Sequence, residues 1–105
     1  MSVRILSAPE LHRRLQDEPA PYLLDVREPW EFARGHVPGA NSIPLGELEQ
    51  RVREIPRDRP ILCLCQVGAR SLAAAAFLVR NGYADVANVD GGTAAWAERG
   101  YPLDR

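Results

Sequence analysis

Short apolar runs alternate with amphipathic helical segments along the chain. Runs bounded by proline, glycine or polar residues predict five strands, at residues 3–6, 22–26, 40–43, 60–64 and 86–89. The run at 60–64, PILCL, is apolar after its proline, which is typical of a central parallel strand that is buried on both faces.

Helical patterns lie between these strands. Ser7 and Glu10 have the spacing of a capping box, which marks the start of the first helix. Apolar residues at positions 45, 48, 52 and 55 predict one helix with a single buried face. A helix over 71–80 is apolar almost all round, so it is predicted to be largely buried. Two shorter helices are predicted at 30–34 and 93–99, each followed by a glycine.

Alternating strands and helices with short connections indicate an α/β protein in three layers, with a parallel sheet between helices on both faces. The chain has 105 residues, of which 46% are hydrophobic, so we expect a single domain over residues 1–105 with one modest core. Ligands of such folds bind at the carboxyl ends of the strands. We therefore expect the chemistry in the loop that follows the strand at 60–64.

Charge and composition narrow the classes of function. The formal net charge is −1, which gives no electrostatic reason to expect nucleic acid or an acidic membrane surface as a partner. The N-terminal residues lack the apolar stretch of a signal peptide, and no run approaches the ~18 apolar residues that span a bilayer. We expect a cytoplasmic protein whose two cysteines, Cys63 and Cys65, are free thiols.

The candidate chemistry lies in a loop that leads directly into the helix at Ser71. A thiolate at the start of a helix is stabilised by unpaired N–H groups, so we expect the pKa of Cys65 to be lowered. Gly68 permits a positive φ, which allows successive N–H groups to point inward as an anion-binding nest. Arg70 adds a permanent charge, and Ser71 a hydroxyl that can donate to the sulfur or cap the helix. The loop residues are Cys65, Gln66, Val67, Gly68, Ala69 and Arg70.

These features favour negative charge on one sulfur atom. The outer sulfur of a persulfide carries its charge in the same place, where the nest of N–H groups would hold it. The pattern therefore predicts sulfur transfer by covalent catalysis, in which Cys65 attacks a sulfur donor, keeps the outer sulfur and passes it to a second nucleophile.

At these residues the chain resembles the rhodanese family. Three blocks carry the resemblance in order: LLDVREPWEFARGHVPGANSIPL at 23–45, LCLCQVGARS at 62–71 and VDGGTAAWAERGYPL at 89–103. The resemblance implies the rhodanese-like fold, with a five-stranded parallel sheet between helices, and a persulfide on Cys65 with Arg70 closing the loop. We expect a donor such as thiosulfate or a persulfide, an acceptor such as cyanide, a small thiol or a protein cysteine, and no metal or organic cofactor.

Two other functions remain open. Cysteine-based phosphatases, and with them arsenate reductases, are disfavoured because phosphatases place five residues between cysteine and arginine, whereas four separate Cys65 from Arg70. A binding module without turnover is the second alternative, and the intact loop argues against it. Gln66, Val67 and Ala69 are uncharged, whereas rhodaneses that act on thiosulfate often carry further cationic loop residues. We therefore regard thiosulfate as a test substrate and leave the natural donor open.

Residues outside the loop allow two interpretations each. Cys63 is interpreted as a core residue, with a resolving thiol for the persulfide as the alternative. Asp25 and Arg27 follow a buried strand and are interpreted as a structural ion pair, or alternatively as part of the pocket rim. His36 is expected to fix its loop by a hydrogen bond, with a metal site formed by His36 and both cysteines as the less favoured alternative.

The remaining features are assigned structural roles. A Gly-Gly pair at 91–92 lacks the wider glycine pattern of a nucleotide loop, so it predicts a tight turn. Glu28 and Glu31 are expected to cap or solvate the short helix. The side chains expected in the core or the pocket wall are Trp30, Phe32 and Trp96.

Overall fold

A computed structural model describes residues 3–105, which form a five-stranded sheet flanked by helices. All neighbouring strands pair in parallel, in the order β1-β5-β4-β2-β3. The predicted α/β fold with a five-stranded parallel sheet is confirmed. The strands are β1 (Arg4–Leu6), β2 (Tyr22–Asp25), β3 (Asn41–Ser42), β4 (Ile61–Leu64) and β5 (Val86–Val89).

Within residues 3–105, five α-helices connect and cover the strands. The capping box predicted before the first helix is present, because Ser7 Oγ accepts from the Glu10 N–H and the Glu10 carboxylate accepts from the Ser7 N–H. The helices are α1 (Ala8–Arg14), α2 (Pro29–Arg34), α3 (Leu48–Arg51), α4 (Ala69–Arg80) and α5 (Gly92–Glu98).

Both faces of the sheet are buried, because successive side chains of a strand point to opposite sides. On β4, Ile61 and Cys63 join the apolar cluster that includes residues of α3 and α4. Leu62 and Leu64 join the opposite cluster, which includes Leu11 of α1 and Trp96 of α5. Burial of each such leucine contributes about 1.5–3 kcal/mol. This burial fixes β4 at the centre of the sheet, and its carboxyl end delivers Cys65 to the N-terminus of α4.

The single helix predicted over 45–55 is wrong. The segment contains 3₁₀ turns at Leu45–Glu47 and Val52–Glu54 on either side of the four-residue α3. Apolar spacing indicates which face is buried but does not distinguish α from 3₁₀ hydrogen bonding, and short helical segments commonly tighten at their ends. The predicted face is nevertheless the inner one, because Leu48 and Ile55 are each 2% exposed.

Two further predictions need correction. Helix α4 begins two residues before the predicted start, and it is not covered on all sides: Leu72 is 46% exposed, because the sheet covers only one face of the helix. The strand predicted at 40–43 is reduced to the two residues of β3, which pairs with β2 alone at the sheet edge. Neither change moves the loop that follows β4.

Candidate active site

Cys65 lies directly after β4, at the start of the loop that leads into α4. Its Sγ accepts hydrogen bonds from the backbone N–H groups of Gly68 at 3.1 Å and Ser71 at 3.3 Å. Ser71 Oγ lies 3.2 Å from the same sulfur. Because Cys65 is only 1% exposed, the protein itself supplies the polar contacts of this sulfur.

Two glycines allow the loop to take this shape. Gly68 caps the N-terminus of α4 with a φ of +113°, in the region that favours glycine. Gly92 presses against the loop: a Cβ on this residue would lie 2.6 Å from the Gln66 carbonyl oxygen and still closer to that of Cys65. This close approach lets the Thr93 N–H donate to the Cys65 carbonyl at 2.8 Å. The tight turn before α5 thus fixes the backbone that carries the cysteine.

The two cysteines differ in acidity because their surroundings differ. Burial raises the pKa of Cys65, but hydrogen bonds from Ser71 and from the Gly68 and Val67 N–H groups outweigh this effect, so the pKa lies below its usual value. Cys63 lies in the apolar interior, where burial and the nearby Cys65 raise its pKa to about 12. Cys65 is therefore the thiol that ionises more readily, whereas Cys63 has the properties of a core residue.

Arg70 forms a bidentate ion pair with Glu31 of α2. Its Nη1 and Nη2 donate to the two carboxylate oxygens at 2.7 and 2.9 Å, and no hydrogen bond within residues 3–105 joins its guanidinium to Cys65 Sγ. The hydrogen bonds from Arg70 outweigh burial and hold the pKa of Glu31 at about 2. Glu31 also accepts from the Glu28 N–H at 2.9 Å, so it caps α2 as predicted. The additional pairing with Arg70, which ties α2 to the loop, was not predicted.

Asp25 and Arg27 form a buried ion pair at the carboxyl end of β2. Arg27 Nε and Nη2 donate to the Asp25 carboxylate at 2.8–3.1 Å, and the two side chains are 3% and 0% exposed. Arg27 also donates to the Gly35 carbonyl at 2.9 Å and, at 3.4 Å, to Oε1 of Gln66 in the loop. The structural ion pair is therefore present, and Arg27 also lines the cleft beside the loop. Asp25 is 0% exposed and does not line this cleft, so the prediction that it forms part of the pocket rim is wrong.

Asn88 of β5 joins the site from the neighbouring strand, and sequence analysis missed it. Its Nδ2 donates to the Gly68 carbonyl at 3.1 Å, and its Oδ1 accepts from Ser71 Oγ at 2.5 Å. The side chain is buried, with 5% of the residue exposed. A signal for it did exist, because a lone amide in a buried apolar strand needs hydrogen-bond partners.

The other loop side chains lie away from the sulfur. Gln66, Val67 and Ala69 are exposed, and only backbone groups of this stretch approach Sγ. His36 also lies outside the sulfur site, because its Nδ1 contacts the Phe32 carbonyl at 3.0 Å and its ring stacks on Phe32. Of the predicted site residues, the structure therefore brings Gly68 and Ser71 into hydrogen-bonding contact with Cys65 Sγ. The other predicted side chains, all of which the structure describes, lie around this site without a hydrogen bond to the sulfur.

A cleft of about 420 Å³ opens beside the loop. Trp30 is 61% exposed and forms part of the cleft wall, whereas Trp96 is buried in the core. The cleft therefore combines apolar surface with charged groups, of which Arg27 is paired with Asp25 and Glu31 with Arg70, whereas the Arg34 guanidinium lies over the Trp30 ring, 5.4 Å from its centroid. Its lining includes Arg27, Trp30, Glu31, Gln66, Ala94 and Leu103.

The part of the chain that the structure describes contains neither a cluster of metal-binding side chains nor a membrane-spanning helix. Over residues 3–105, no three or more His, Cys, Asp or Glu side chains are grouped so that they could hold a metal ion. The metal site considered for His36 and the two cysteines is therefore not assembled in this range. Over the same range, no helix has the length and apolar character needed to cross a membrane.

Known proteins are similar to this chain in both sequence and fold. The model of the rhodanese-like domain family matches residues 7–99. A sulfurtransferase of Allochromatium vinosum is 40% identical over 101 residues, covering 96% of this chain and 94% of that protein. Thiosulfate sulfurtransferase GlpE of Pseudomonas putida is 36% identical over 96 residues, covering 91% of this chain and 86% of that protein.

The fold comparison agrees with the sequence comparison. The crystal structure of a rhodanese-related protein from Thermoplasma volcanium superposes with a TM-score of 0.88 at 35% identity, covering 96% of this chain and 97% of that chain. The family match, the relatives and the shared five-stranded fold agree over nearly the same residues. The chain therefore belongs to the rhodanese-like domain family.

Proposed function

We propose that this protein is a sulfurtransferase in which Cys65 carries a single sulfur atom from a donor to an acceptor. One observation carries the proposal: the N–H groups of Gly68 and Ser71 both donate to Cys65 Sγ, at 3.1 and 3.3 Å. Hydrogen bonds to a charged sulfur favour the thiolate, which is the nucleophilic form of cysteine. The relative described as a thiosulfate sulfurtransferase supports the same class of reaction.

The first half-reaction loads the cysteine. The Cys65 thiolate attacks the outer sulfur of a donor, and a new S–S bond forms as the donor's own bond to that sulfur breaks. With thiosulfate, the leaving group is sulfite, which keeps the electron pair of the broken bond. Cys65 is then a persulfide whose outer sulfur holds the charge. Because Cys65 is 1% exposed, a donor with a small terminal sulfur reaches it more readily than a bulky electrophile.

The second half-reaction returns the cysteine to its thiolate form. An acceptor attacks the outer sulfur of the persulfide, and the electron pair of the Cys65 S–S bond returns to Sγ. Cyanide would leave as thiocyanate, and a thiol or a cysteine of a partner protein would leave as a persulfide. No external oxidant or reductant is needed. The fixed amides stabilise the thiolate at both ends of the cycle without reorganising, which is how a preorganised site contributes to rate.

The arrangement favours sulfur over phosphate as the transferred group. Four residues separate Cys65 from Arg70, and a loop of that length offers few inward N–H groups for the oxygens of a phosphate. The Arg70 guanidinium, which could grip a phosphate as a two-pronged donor, already holds the Glu31 carboxylate. Both features suit a single charged sulfur.

The test is an assay with thiosulfate and cyanide in which thiocyanate is measured. The natural chain should form thiocyanate, Cys65→Ser should form none, and Cys63→Ser serves as the matched control that keeps most of the activity. The same proteins are then offered an aryl phosphate. Phosphate release that depends on Cys65 would replace the proposal with a phosphatase. Neither product from any small donor would leave a binding module as the function.

A further inference from the structure

Asn88 has a fixed orientation because its two neighbours have different hydrogen-bonding capacities. The Gly68 carbonyl can only accept, so the amide nitrogen of Asn88 must face it, at 3.1 Å. The amide oxygen then faces Ser71 Oγ at 2.5 Å. An amide turned the other way would place two oxygens with lone pairs against each other in a buried site. The oxygen of Asn88 therefore needs a donor, and Ser71 is the residue that supplies it.

The Ser71 hydroxyl has one proton and three acceptors within reach. These are Asn88 Oδ1 at 2.5 Å, the Gly68 carbonyl at 3.2 Å and Cys65 Sγ at 3.2 Å. Two oxygens 2.5 Å apart without a proton between them repel each other, so the proton lies toward Asn88 when the cysteine is a neutral thiol. A lone pair of Ser71 Oγ then faces Sγ and can accept a hydrogen bond from the thiol S–H.

We propose that Asn88 is a positioning residue that accepts the hydrogen bond of the Ser71 hydroxyl while Cys65 is a thiol, and that the hydroxyl turns to donate this hydrogen bond to the sulfur when the thiolate forms. The resting arrangement is a chain of donors, from Sγ–H to Ser71 Oγ and from Oγ–H to Asn88 Oδ1. Loss of the thiol proton turns the sulfur into an acceptor, and the hydroxyl rotates toward it. Asn88 Oδ1 then loses its donor in a buried position, so Asn88 and the thiolate compete for the one hydrogen bond that the Ser71 hydroxyl can donate.

Because of this competition, the hydroxyl of Ser71 differs from the backbone N–H donors in when it is available to the sulfur. The N–H groups of Gly68 and Ser71 donate to Sγ in every state, whereas the hydroxyl is available only at the expense of Asn88. The inference rests on Cys65 being the reactive thiol of the proposed function. It does not depend on sulfur being the group transferred.

The other ionisable groups near the sulfur do not explain the expected coupling. The Arg70 guanidinium remains paired with Glu31, and its charge acts on Cys65 from outside the hydrogen-bonded chain. The Cys63 thiol, with a pKa of about 12, stays neutral. The Asp25–Arg27 ion pair reaches the loop only through the Gln66 side chain. All of these groups are the same in every variant of the test.

The test compares four proteins: the natural chain, Ser71→Ala, Asn88→Leu and the double variant. The rate of alkylation of Cys65 by iodoacetamide is measured against pH, and peptide mass spectrometry separates it from Cys63. Leucine matches asparagine in size and cannot accept a hydrogen bond. In the natural chain, Ser71→Ala should slow alkylation at pH values below the midpoint of the profile by less than about twofold. In the Asn88→Leu protein the same change should slow it about tenfold, because the freed hydroxyl there bonds the thiolate fully.

A tenfold effect of Ser71→Ala already present in the natural chain would overturn the inference, since Asn88 would then not be competing with the thiolate for the Ser71 hydroxyl. Equal effects in both backgrounds would also overturn it. If Asn88→Leu does not fold, Asn88→Ala replaces it in the comparison. The effect of Ser71→Ala in the natural chain can overturn the inference without either Asn88 variant. If the natural chain forms no thiocyanate but the effect of Ser71→Ala still depends on Asn88, sulfur transfer is refuted and the role of Asn88 is not. The failure of the proposed function can therefore be told apart from the failure of this inference.

Discussion

Replacing Glu31 by glutamine tests whether its ion pair with Arg70 fastens the Cys65 loop to α2. Glutamine keeps the size of the side chain and an oxygen that can accept from Arg70 and from the Glu28 N–H. The negative charge is lost, and with it the second acceptor oxygen, because the amide nitrogen in its place cannot accept from Arg70 Nη2. The Arg70 guanidinium would then keep a weaker partner, and the loop would be held less firmly.

The expected loss of stability follows from the acidity of Glu31. Hydrogen bonds from Arg70 hold its pKa at about 2, against an ordinary value of 4.5. At roughly 1.4 kcal/mol per pKa unit the difference would correspond to about 3 kcal/mol. The Arg70 side chain is 37% exposed, so screening by solvent reduces the expected figure to about 1–2 kcal/mol. Because the pKa of Glu31 is lower in the folded than in the unfolded protein, its ionised carboxylate stabilises the fold. This contribution is complete above about pH 4.5 and is lost as the pH falls toward 2.

Urea unfolding of the natural chain and of Glu31→Gln provides the assay, at pH 7 and at steps down to pH 2. The natural chain should be more stable at pH 7 by the figure above, and the difference should shrink between pH 4.5 and pH 2. Glu54→Gln is the matched control, because Glu54 also meets an arginine through two oxygens but is 53% exposed, and it should change stability less. Equal stabilities at pH 7, or a difference that persists at pH 2, would refute the reasoning.

Three further variants test other parts of the account. Gly92→Ala places a Cβ against the loop carbonyls and should lower thiocyanate formation at least about tenfold, whereas Gly46→Ala, with nothing within 4 Å, should not; equal rates for the two variants would contradict the role of the turn. Cys63→Ala should cost about 1–2 kcal/mol in urea unfolding and keep activity; an inactive but folded variant would favour the resolving thiol. Tyr83→Phe removes the hydroxyl that donates to the Ile55 carbonyl at 2.7 Å and should cost about 1–2 kcal/mol, and an unchanged urea midpoint would exclude that contribution.

Local sequence patterns were sufficient to predict those parts of the structure in which the contacts join residues close together in the chain. The strand at 60–64 and the glycine-containing loop after it form one continuous stretch, and the donors to Cys65 Sγ lie within six residues of it. A buried strand followed by a cysteine, a glycine and a helix therefore predicts the sulfur site. Periodicity also predicted which face of 45–55 is buried, although it could not distinguish α from 3₁₀ turns.

The contacts that sequence analysis missed join residues far apart in the chain. Ser71 and Asn88 are 17 positions apart, Glu31 and Arg70 are 39 apart, and both pairs meet only because the parallel sheet brings the carboxyl ends of its strands to one edge. Burial offered a hint for Asn88, because an amide between buried apolar residues requires a partner. Nothing in the local pattern indicated a distant partner for Glu31, since Glu28 at the N-cap and Glu31 in the first turn both suit the cap of the same helix.

The most direct test of the account is the mass of the protein after exposure to a sulfur donor, followed by mapping of the modified peptide. We expect a gain of one sulfur atom on Cys65, which cyanide then removes to restore the original mass. An unchanged mass with every donor, or a sulfur atom found on Cys63, would contradict the claim that the hydrogen-bonded loop holds the transferred atom.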